Sequence, residues 1–464
     1  MSIGAHILKV ITCSTTYRLV QAQFMWKPVT LLLISLVIIP PTYANSNLLN
    51  HSQGITTGQS ANHHALFSGI ANPAMGHLAV RPSERFRLAY FFSLSSATEL
   101  GQVDNFVDDI DELINILEDS ANAGDIPVNE TLDRFNLVIT QAGQDGYLKT
   151  TNGIYLPPFP LYWRPLFLPG TLTFEFNIES QINVSALADE LIYDDQKETF
   201  STATSAYLKS GLQTKFAVSY SQSLSQDLFG TKGTQLLVGA RLNIYDLELS
   251  KQVFQLELLR GQGIEDLIKD EYKNNRIKST GIGLDFGAIW SAKKYRLGAT
   301  ITNVNAPAFH YGAIGVNCDK YIDASHSQSN CYIANYFSNI KGDIKTHEQH
   351  TKNPVITLDG SYFISPKWLV SAAAELSNYD DTVGQENQWV HWSSSYQPNS
   401  FWVPSTRVSY RKNLAGSKLS YAGIGLTLGK VVNIDFNFAL DDVIVDTDKV
   451  PRGIGFALSI EEWF

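Results

Sequence analysis

From about Thr199 to the C-terminus, apolar and polar residues alternate one for one in segment after segment. Ile282, Leu284, Phe286 and Ala288 interleave with Gly283, Asp285 and Gly287, and Tyr295, Leu297, Ala299 and Ile301 interleave with Arg296, Gly298, Thr300 and Thr302. The same holds for Trp368–Leu376 and for Val432–Leu440. Side chains of a strand point to opposite faces with period two, so each segment predicts a strand with one apolar face and one small or polar face. The chain ends on such a strand. Ile454, Phe456, Leu458, Ile460 and Phe464 share one face, and Gly453, Gly455, Ala457, Ser459 and Glu461 share the other.

A soluble sandwich and a transmembrane barrel both alternate in this way, and the connections separate them. Ser291–Lys294, Ser365–Lys367 and Gly429-Lys430 are tight turns, whereas Asn305–Asn353 and Asp441–Val450 are long. Short turns at one end and long loops at the other are the mark of a membrane barrel. Trp290, Tyr295, Tyr362 and Trp368 flank the tight turns, as an interfacial aromatic girdle would. Keeping every tight turn at the same end requires one further strand between Ser377 and Val403, and Gln388–Tyr396 is the candidate. The predicted fold is therefore an all-β transmembrane antiparallel β-barrel of about 14–16 strands.

The N-terminal half breaks the pattern. Residues 1–44 read as a signal peptide: Lys27, the apolar run Val29–Ile39, then small residues ending at Ala44. Met25 makes a better signal start than Met1, so residues 1–24 read as surplus upstream sequence. Residues 45–82 are polar and irregular and form a short plug-like segment. Residues 83–464 form the barrel, with Arg85–Leu94 as its first strand and the partner of Gly453–Phe464 at closure. A helical insert occupies 100–145. Val103, Phe106, Val107, Ile110, Leu113, Ile114 and Leu117 recur at helical spacing opposite an acidic face, and a second helix is expected over Glu130–Gln141. Phe106, Ile110 and Leu113 either line the lumen or pack the insert onto the barrel. Ile154–Pro169 is dense in aromatics and prolines, and it predicts an edge, a bulge or an interrupted strand. A long strand follows at Thr171–Val184.

Composition narrows the function classes. Charged residues make up 17% of the chain, too few for the surface of a soluble multi-domain protein of this length, and no run reaches the roughly 20 apolar residues of a membrane helix. A net charge of −10 argues against a nucleic-acid partner. Cys13 precedes the signal cut. Cys318 and Cys331 remain, and in an exported chain they predict a loop disulfide. The alternatives are free thiols or a zinc site, for which His310 and His326 lack a recognised spacing. No metal or cofactor is expected. No CxxC pair is present for thioredoxin-like chemistry. His391, Ser393 and Asp380 supply triad residue types without a spacing rule that unites them, so the chain is not expected to be an enzyme.

Two features carry a family resemblance. Asn72-Pro73-Ala74, soon after the mature start and just before a strand, resembles the N-terminal signature of FadL-type outer-membrane barrels. The signal peptide, this triplet, the first strand, the acidic helical insert, the Pro-aromatic stretch and the terminal Phe464 together resemble the conjugal-transfer TraF-like outer-membrane family, itself distantly FadL-like. The resemblance implies residence in the outer membrane of a Gram-negative bacterium, in contact with outer-membrane lipid. It also implies that Trp463-Phe464 is read by the barrel-assembly machinery. For function it implies passive uptake of a hydrophobic small molecule, or alternatively a non-transporting accessory of a secretion or conjugation system. Glu462 departs from the apolar phase of the last strand.

Overall fold

Fourteen strands run up and down and close into a ring in the computed structural model. It describes residues 52–58, 65–105, 109, 112–113, 116–117, 127–227, 232–256, 272–273, 275–321, 325–445 and 448–461. The signal segment, Phe106, Ile110, Glu462, Trp463 and Phe464 lie outside the described residues. The strands are β1 Ser93–Leu100, β2 Tyr147–Tyr155, β3 Thr171–Leu187, β4 Ser205–Gln226 and β5 Gln235–Gln255. Next come β6 Ile277–Ser291, β7 Tyr295–Thr302, β8 Val355–Ser365, β9 Trp368–Glu375 and β10 Trp389–Tyr396. The ring is completed by β11 Ser405–Asn413, β12 Ser420–Leu428, β13 Val432–Ala439 and β14 Gly453–Ile460. Each pairs antiparallel with its neighbours in sequence, and β14 pairs back onto β1 with Leu94 opposite Leu458 and Ala97 opposite Gly455. Closure leaves the ring without an edge, which satisfies every ladder hydrogen bond internally. The strand required between Ser377 and Val403 is β10.

The alternation sorts into two faces. Ile282, Leu284, Phe286, Leu297, Ile356, Leu358, Ile424, Phe436 and Phe438 point outward, onto the lipid-facing surface. Asp285, Thr300, Thr357, Asn433, Asp435, Asn437, Ala457 and Ser459 point inward and are buried. The apolar face of β14 is therefore outside and its glycine face lines the lumen.

The first strand differs from expectation. The partner of β14 is Ser93–Leu100, not Arg85–Leu94. Phe86–Leu88 is a separate short strand that pairs with Leu161–Trp163, which pairs in turn with Leu172–Phe174 of β3. Residues 89–92 and 156–160 thus leave the ladder side by side. Proline cannot donate to a ladder, and Pro157, Pro158 and Pro160 break the strand that β2 would otherwise continue. The Ala89 N–H is satisfied by the Pro158 and Pro160 carbonyls instead. Ile154–Pro169 is thus an interrupted strand.

The insert sits at the long-loop end. Helix α1, Val128–Asp145, overruns the expected Glu130–Gln141 at both ends and buries Phe135, Val138, Ile139 and Ala142. Leu113 and Leu117 pack with Phe135, Ile139, Leu191, Phe200, Phe254 and Leu256 in one apolar cluster. Leu113 is thereby part of the packing of the insert. Between β7 and β8, helix α2, Ser325–Asn335, is tied to the turn Cys318–Tyr321 by a Cys318–Cys331 disulfide.

Candidate lumenal chamber

The lumen is entered from both ends by chain that is not part of the wall. From the short-turn end come residues 52–58 and 65–80, folded as short helical turns at Gly54–Thr57, Ser68–Ala71, Pro73–Met75 and Gly76–Ala79. Short turns cannot satisfy their own backbone groups, so the inward polar residues of the wall do so. The Glu461 carboxylate accepts from the N–H groups of Leu66 and Phe67, and also from Asn433 Nδ2 at 2.7 Å and Gln53 Nε2 at 3.2 Å. Thr56 Oγ1 donates to Asp435, which Arg407 holds at 2.9 Å. Tyr162 OH donates to the Leu66 carbonyl at 2.8 Å, and Arg241 Nη1 to the Ile70 carbonyl at 2.7 Å.

The Asn72-Pro73-Ala74 triplet is seated directly on the wall. Asn72 Oδ1 accepts from Ala74 N at 2.9 Å and so caps the turn that Pro73 opens. Asn72 Nδ2 donates to the carbonyls of Ala288 and Ala299 at 3.3 and 3.2 Å. The close approach depends on two wall glycines. A Cβ on Gly287 would lie 2.0 Å from Asn72 Oδ1, and one on Gly239 would lie 2.4 Å from the Pro73 carbonyl carbon.

From the long-loop end, two hairpins turn inward. Ala308–His310 pairs with Gln349–Thr351 and buries Phe309 against Tyr245, Leu247 and Leu249 of β5. Tyr379-Asp380 pairs with Glu386-Asn387 and carries Thr382 to Gln181, whose Oε1 accepts from Thr382 Oγ1 at 2.6 Å. Lys149 on β2 pairs with Asp381, and Tyr311 OH donates to the Thr382 carbonyl. Burial by itself raises a carboxyl, but Lys149 and the amides of Gln385 and Val383 hold Asp381 below the usual carboxylate range.

A cavity of about 180 Å³ remains between the two closures. Its lining is polar and charged, and includes Glu99, Lys149, Lys215, Arg241, Asp285, Lys352 and Arg411, with Tyr245, Trp389 and Tyr421 as aromatic surfaces. On one wall Arg241 bridges Glu175 at 3.1 Å and Asp285 at 2.7 Å, and Lys215 holds the second oxygen of Glu175 at 3.1 Å. Fully buried charges require such pairing. On the opposite side Glu99 accepts from Tyr147 and Tyr421, each at 2.6 Å, and from Gln385 at 3.1 Å.

His350, on the inner hairpin, is buried with Nε2 unpartnered. Burial, helped by the nearby Lys352 charge, pushes its imidazole down to about 3 from 6.5. The unfolded loop therefore binds a proton below pH 6.5 that the folded loop refuses. The hairpin's stability is full above pH 6.5 and falls as the pH drops toward 3, with about 2 kcal/mol lost by pH 5. Hydrogen exchange of 308–310 and 349–351 should quicken between pH 7 and pH 5, and His350→Phe should remove that response. An exchange rate independent of pH in the wild type would show that the hairpin accommodates the charged ring.

The residue types of a hydrolytic triad are apart in function. His391 Nε2 contacts the Thr56 carbonyl at 3.1 Å, and its ring lies against Gly58, whose φ of +66° and lack of Cβ permit the contact. Ser393 shares a hydrogen bond with Ser371 at 2.6 Å. Among the described residues no group of three or more His, Cys, Asp or Glu side chains is arranged to hold a metal ion.

The family model described as "F plasmid transfer operon, TraF, protein" matches residues 69–374. The chain belongs to this TraF family. The matched region runs from the lumenal turns to the end of β9, and takes in Asn72-Pro73-Ala74, the insert, the wall interruption and the disulfide loop. No curated protein matches the sequence. Among solved structures the TraF-family chain is similar to a TodX monoaromatic hydrocarbon channel deltaS2 mutant, at 12% identity over 91% of this chain and 100% of that one, with a TM-score of 0.45. It is also similar to the Ralstonia pickettii toluene transporter TbuX, at 11% identity over 92% of this chain and 100% of that one, TM-score 0.39. A Pseudomonas aeruginosa FadL homologue matches at 11% identity over 90% of this chain and 98% of that one, TM-score 0.38.

The sequence pattern singled out Asn72, Pro73 and Ala74 but did not reveal their seat on Gly239 and Gly287. It singled out Glu462 and passed over Glu461. The phase of β14 already turned Glu461 inward with Ser459 and Ala457. The amides that Glu461 binds lie 395 and 394 residues away, which no local pattern discloses.

Proposed function

We propose that this TraF-family protein is a gated outer-membrane channel for small solutes, with residues 52–80 as its plug. The observation that carries the reading is the way the plug is held. It is clasped by polar side chains from around the wall, through Glu461, Asp435 with Arg407, and Arg241, and it is not fused into the ladder. Hydrogen bonds to charged groups are each worth about 1.5–3 kcal/mol net, so release of the segment requires that they be broken and remade as a set. Planar-bilayer recording tests this. The full chain should be silent, and a variant lacking residues 52–80 that still shows heat-modifiable migration should conduct. A folded but silent deletion variant would indicate a barrel filled by its own loops and used as a docking surface. That is the accessory role, and co-purification of a secretion or conjugation complex would then support it.

A second reading, uptake of hydrophobic molecules, has an observation of its own. Tyr90, Phe91 and Phe92 face outward at the wall interruption beside Leu156–Pro160. Nearby inside lies an apolar cluster that contains Leu66, Phe67 and Ile70 of the plug together with Ala89, Tyr155 and Tyr162. A shift of the plug would join the lipid phase to this cluster. Uptake of labelled fatty acid or toluene in a deletion strain tests it, and unchanged uptake counts against it.

A further inference from the structure

The short-turn rim carries a run of lysines that no carboxylate answers. The connections β6–β7, β8–β9, β10–β11 and β12–β13 follow one another along one arc of the ring. They are residues 292–294, 366–367, 397–404 and 429–431, and none contains an Asp or a Glu. Lys293, Lys294, Lys367 and Lys430 are the charged residues of all four. Among the described residues no carboxylate pairs with any of them. At the long-loop end, by contrast, Arg134 lies on Glu112 at 2.6 Å, Arg276 on Glu248 at 3.0 Å and Lys278 on Asp246 at 2.8 Å.

The four connections form one continuous strip. The Phe363 N–H donates to the Lys294 carbonyl at 2.7 Å, and the Gln397 N–H to the Lys367 carbonyl at 2.8 Å. Lys430 Nζ donates to the Asn399 carbonyl at 3.0 Å. The Phe401 ring covers Gly429, where a Cβ would lie 3.2 Å from Phe401 Cζ. Backbone contacts therefore fix the lysines side by side along the rim, and the side chains of Lys293, Lys294 and Lys367 are exposed.

Paired aromatics border the same strip. Trp290 meets Tyr295 with ring centres 5.5 Å apart, Trp368 meets Tyr396 at 5.1 Å, and Phe401 meets Trp402 at 5.3 Å. Trp402 is 87% exposed, on a loop that Pro398 and Pro404 bracket. An indole with an apolar ring and a polar N–H suits the headgroup level of a bilayer, and a lysine can lay its stem on apolar surface while its ammonium reaches outward.

We propose that this arc binds anionic phospholipid of the periplasmic leaflet, with the four ammonium groups on lipid phosphates and the Trp402 indole among the upper acyl carbons. The short turns of a membrane barrel face the periplasm, which puts the arc at that leaflet. Two observations favour lipid over a soluble acidic partner. The lysines follow the rim of the wall, where headgroups lie. The aromatics are continuous with exposed Leu297, Tyr362 and Ile364, so the strip borders the lipid-facing surface. A zwitterionic headgroup carries its own ammonium and answers the lysines less well than phosphatidylglycerol, whose phosphate is its one charge. Each lysine close to an anionic lipid surface strengthens the attraction by about fivefold. The surface is independent of whether the barrel conducts.

Tryptophan quenching by brominated acyl chains tests this. The full chain is placed in bilayer nanodiscs of phosphatidylglycerol and phosphatidylethanolamine, with one lipid or the other brominated. Subtracting the signal of Trp402→Phe isolates the loop indole. Brominated phosphatidylglycerol should quench it with a local preference of about fivefold or more at low salt. The preference should fade in about 0.5 M salt, which screens exposed charges. Lys293→Gln, Lys294→Gln, Lys367→Gln and Lys430→Gln together should abolish it. Lys418→Gln, which removes an exposed lysine at the long-loop end, should leave it unchanged. Heat-modifiable migration confirms folding, and Lys367→Gln alone should give a partial loss if the fourfold variant does not fold. Equal quenching by the two lipids overturns the proposal and leaves the lysines to an acidic protein. A preference that survives in the folded lysine variants overturns it as well.

Discussion

Arg241→Met is expected to lower the stability of the folded barrel by about 3 kcal/mol, the lower end of the loss seen when a buried ion pair is broken by removing one partner. Arg241 is almost wholly buried and joins Glu175 of β3 to Asp285 of β6 across β4 and β5. It also donates to the Ile70 carbonyl of the plug. Without it, Glu175 keeps Lys215 and Asp285 keeps Asn243, so neither carboxylate is wholly stranded, which places the loss at the lower end. Denaturant unfolding followed by heat-modifiable migration reads the stability, and limited proteolysis of residues 52–80 reads release of the plug. Both should change together. Removing the charges as a set, with Arg241→Met, Lys215→Met, Glu175→Gln and Asp285→Asn, should recover much of the stability because no member of the buried network is then left charged without its partner. Wild-type stability in the single variant would show that the network contributes nothing net.

The second large effect is expected at Gly287. Gly287→Val places side-chain carbon where Asn72 Oδ1 now sits, 2.0 Å from the position of a Cβ and 2.9 Å from Pro73 Cδ. A β-branched residue suits the strand itself, so the wall should form normally. The Asn72-Pro73-Ala74 turn must then back away and give up the donations from Asn72 to the Ala288 and Ala299 carbonyls. Overpacking and the lost bonds together put the cost of seating the plug at about 1–3 kcal/mol. Faster cleavage of the plug, with an unchanged barrel in the migration assay, is the expected result. Gly360→Ala is the control, because the nearest atom to its Cβ would be 3.4 Å away. A Gly287→Val plug as protected as the wild type would mean that the triplet is not held by this wall.

Much of the wall was legible because a barrel strand has one obligatory lipid face. The alternation of Ile282–Ala288 or Val432–Leu440 reports that face directly, and the tight turns then order the strands. The parity argument found β10 for the same reason, since an up-and-down ring admits no missing strand. Legibility failed where that constraint relaxes. Ser93–Leu100 carries serines, a threonine and a glutamate on a strand whose face next to the interruption is not simply apolar, so the apolar residues Phe91 and Phe92 drew the expected strand too early. Leu113 had the spacing of an amphipathic helix, but spacing does not say what the apolar side meets. The answer, a cluster with Phe135 and Phe254, joins segments more than a hundred residues apart.

By itself the sequence determined the period of the wall, which face meets lipid and the end that carries the long loops, and it made a Cys318–Cys331 disulfide the expected pairing, which the structure then showed. Each follows from local stereochemistry or from the compartment. Only the tertiary structure decided what the lumen holds. Polar inward residues read alike whether they face water, a plug or each other. Closing the ring and folding chain in from both ends decided that Glu461 clasps the Leu66 and Phe67 amides, that Arg241 is fully paired, and that Arg411 lies between Trp389 and Tyr421 while Lys352 lies over Tyr245. Charge balance inside a barrel is a property of opposite walls, and opposite walls are far apart in sequence.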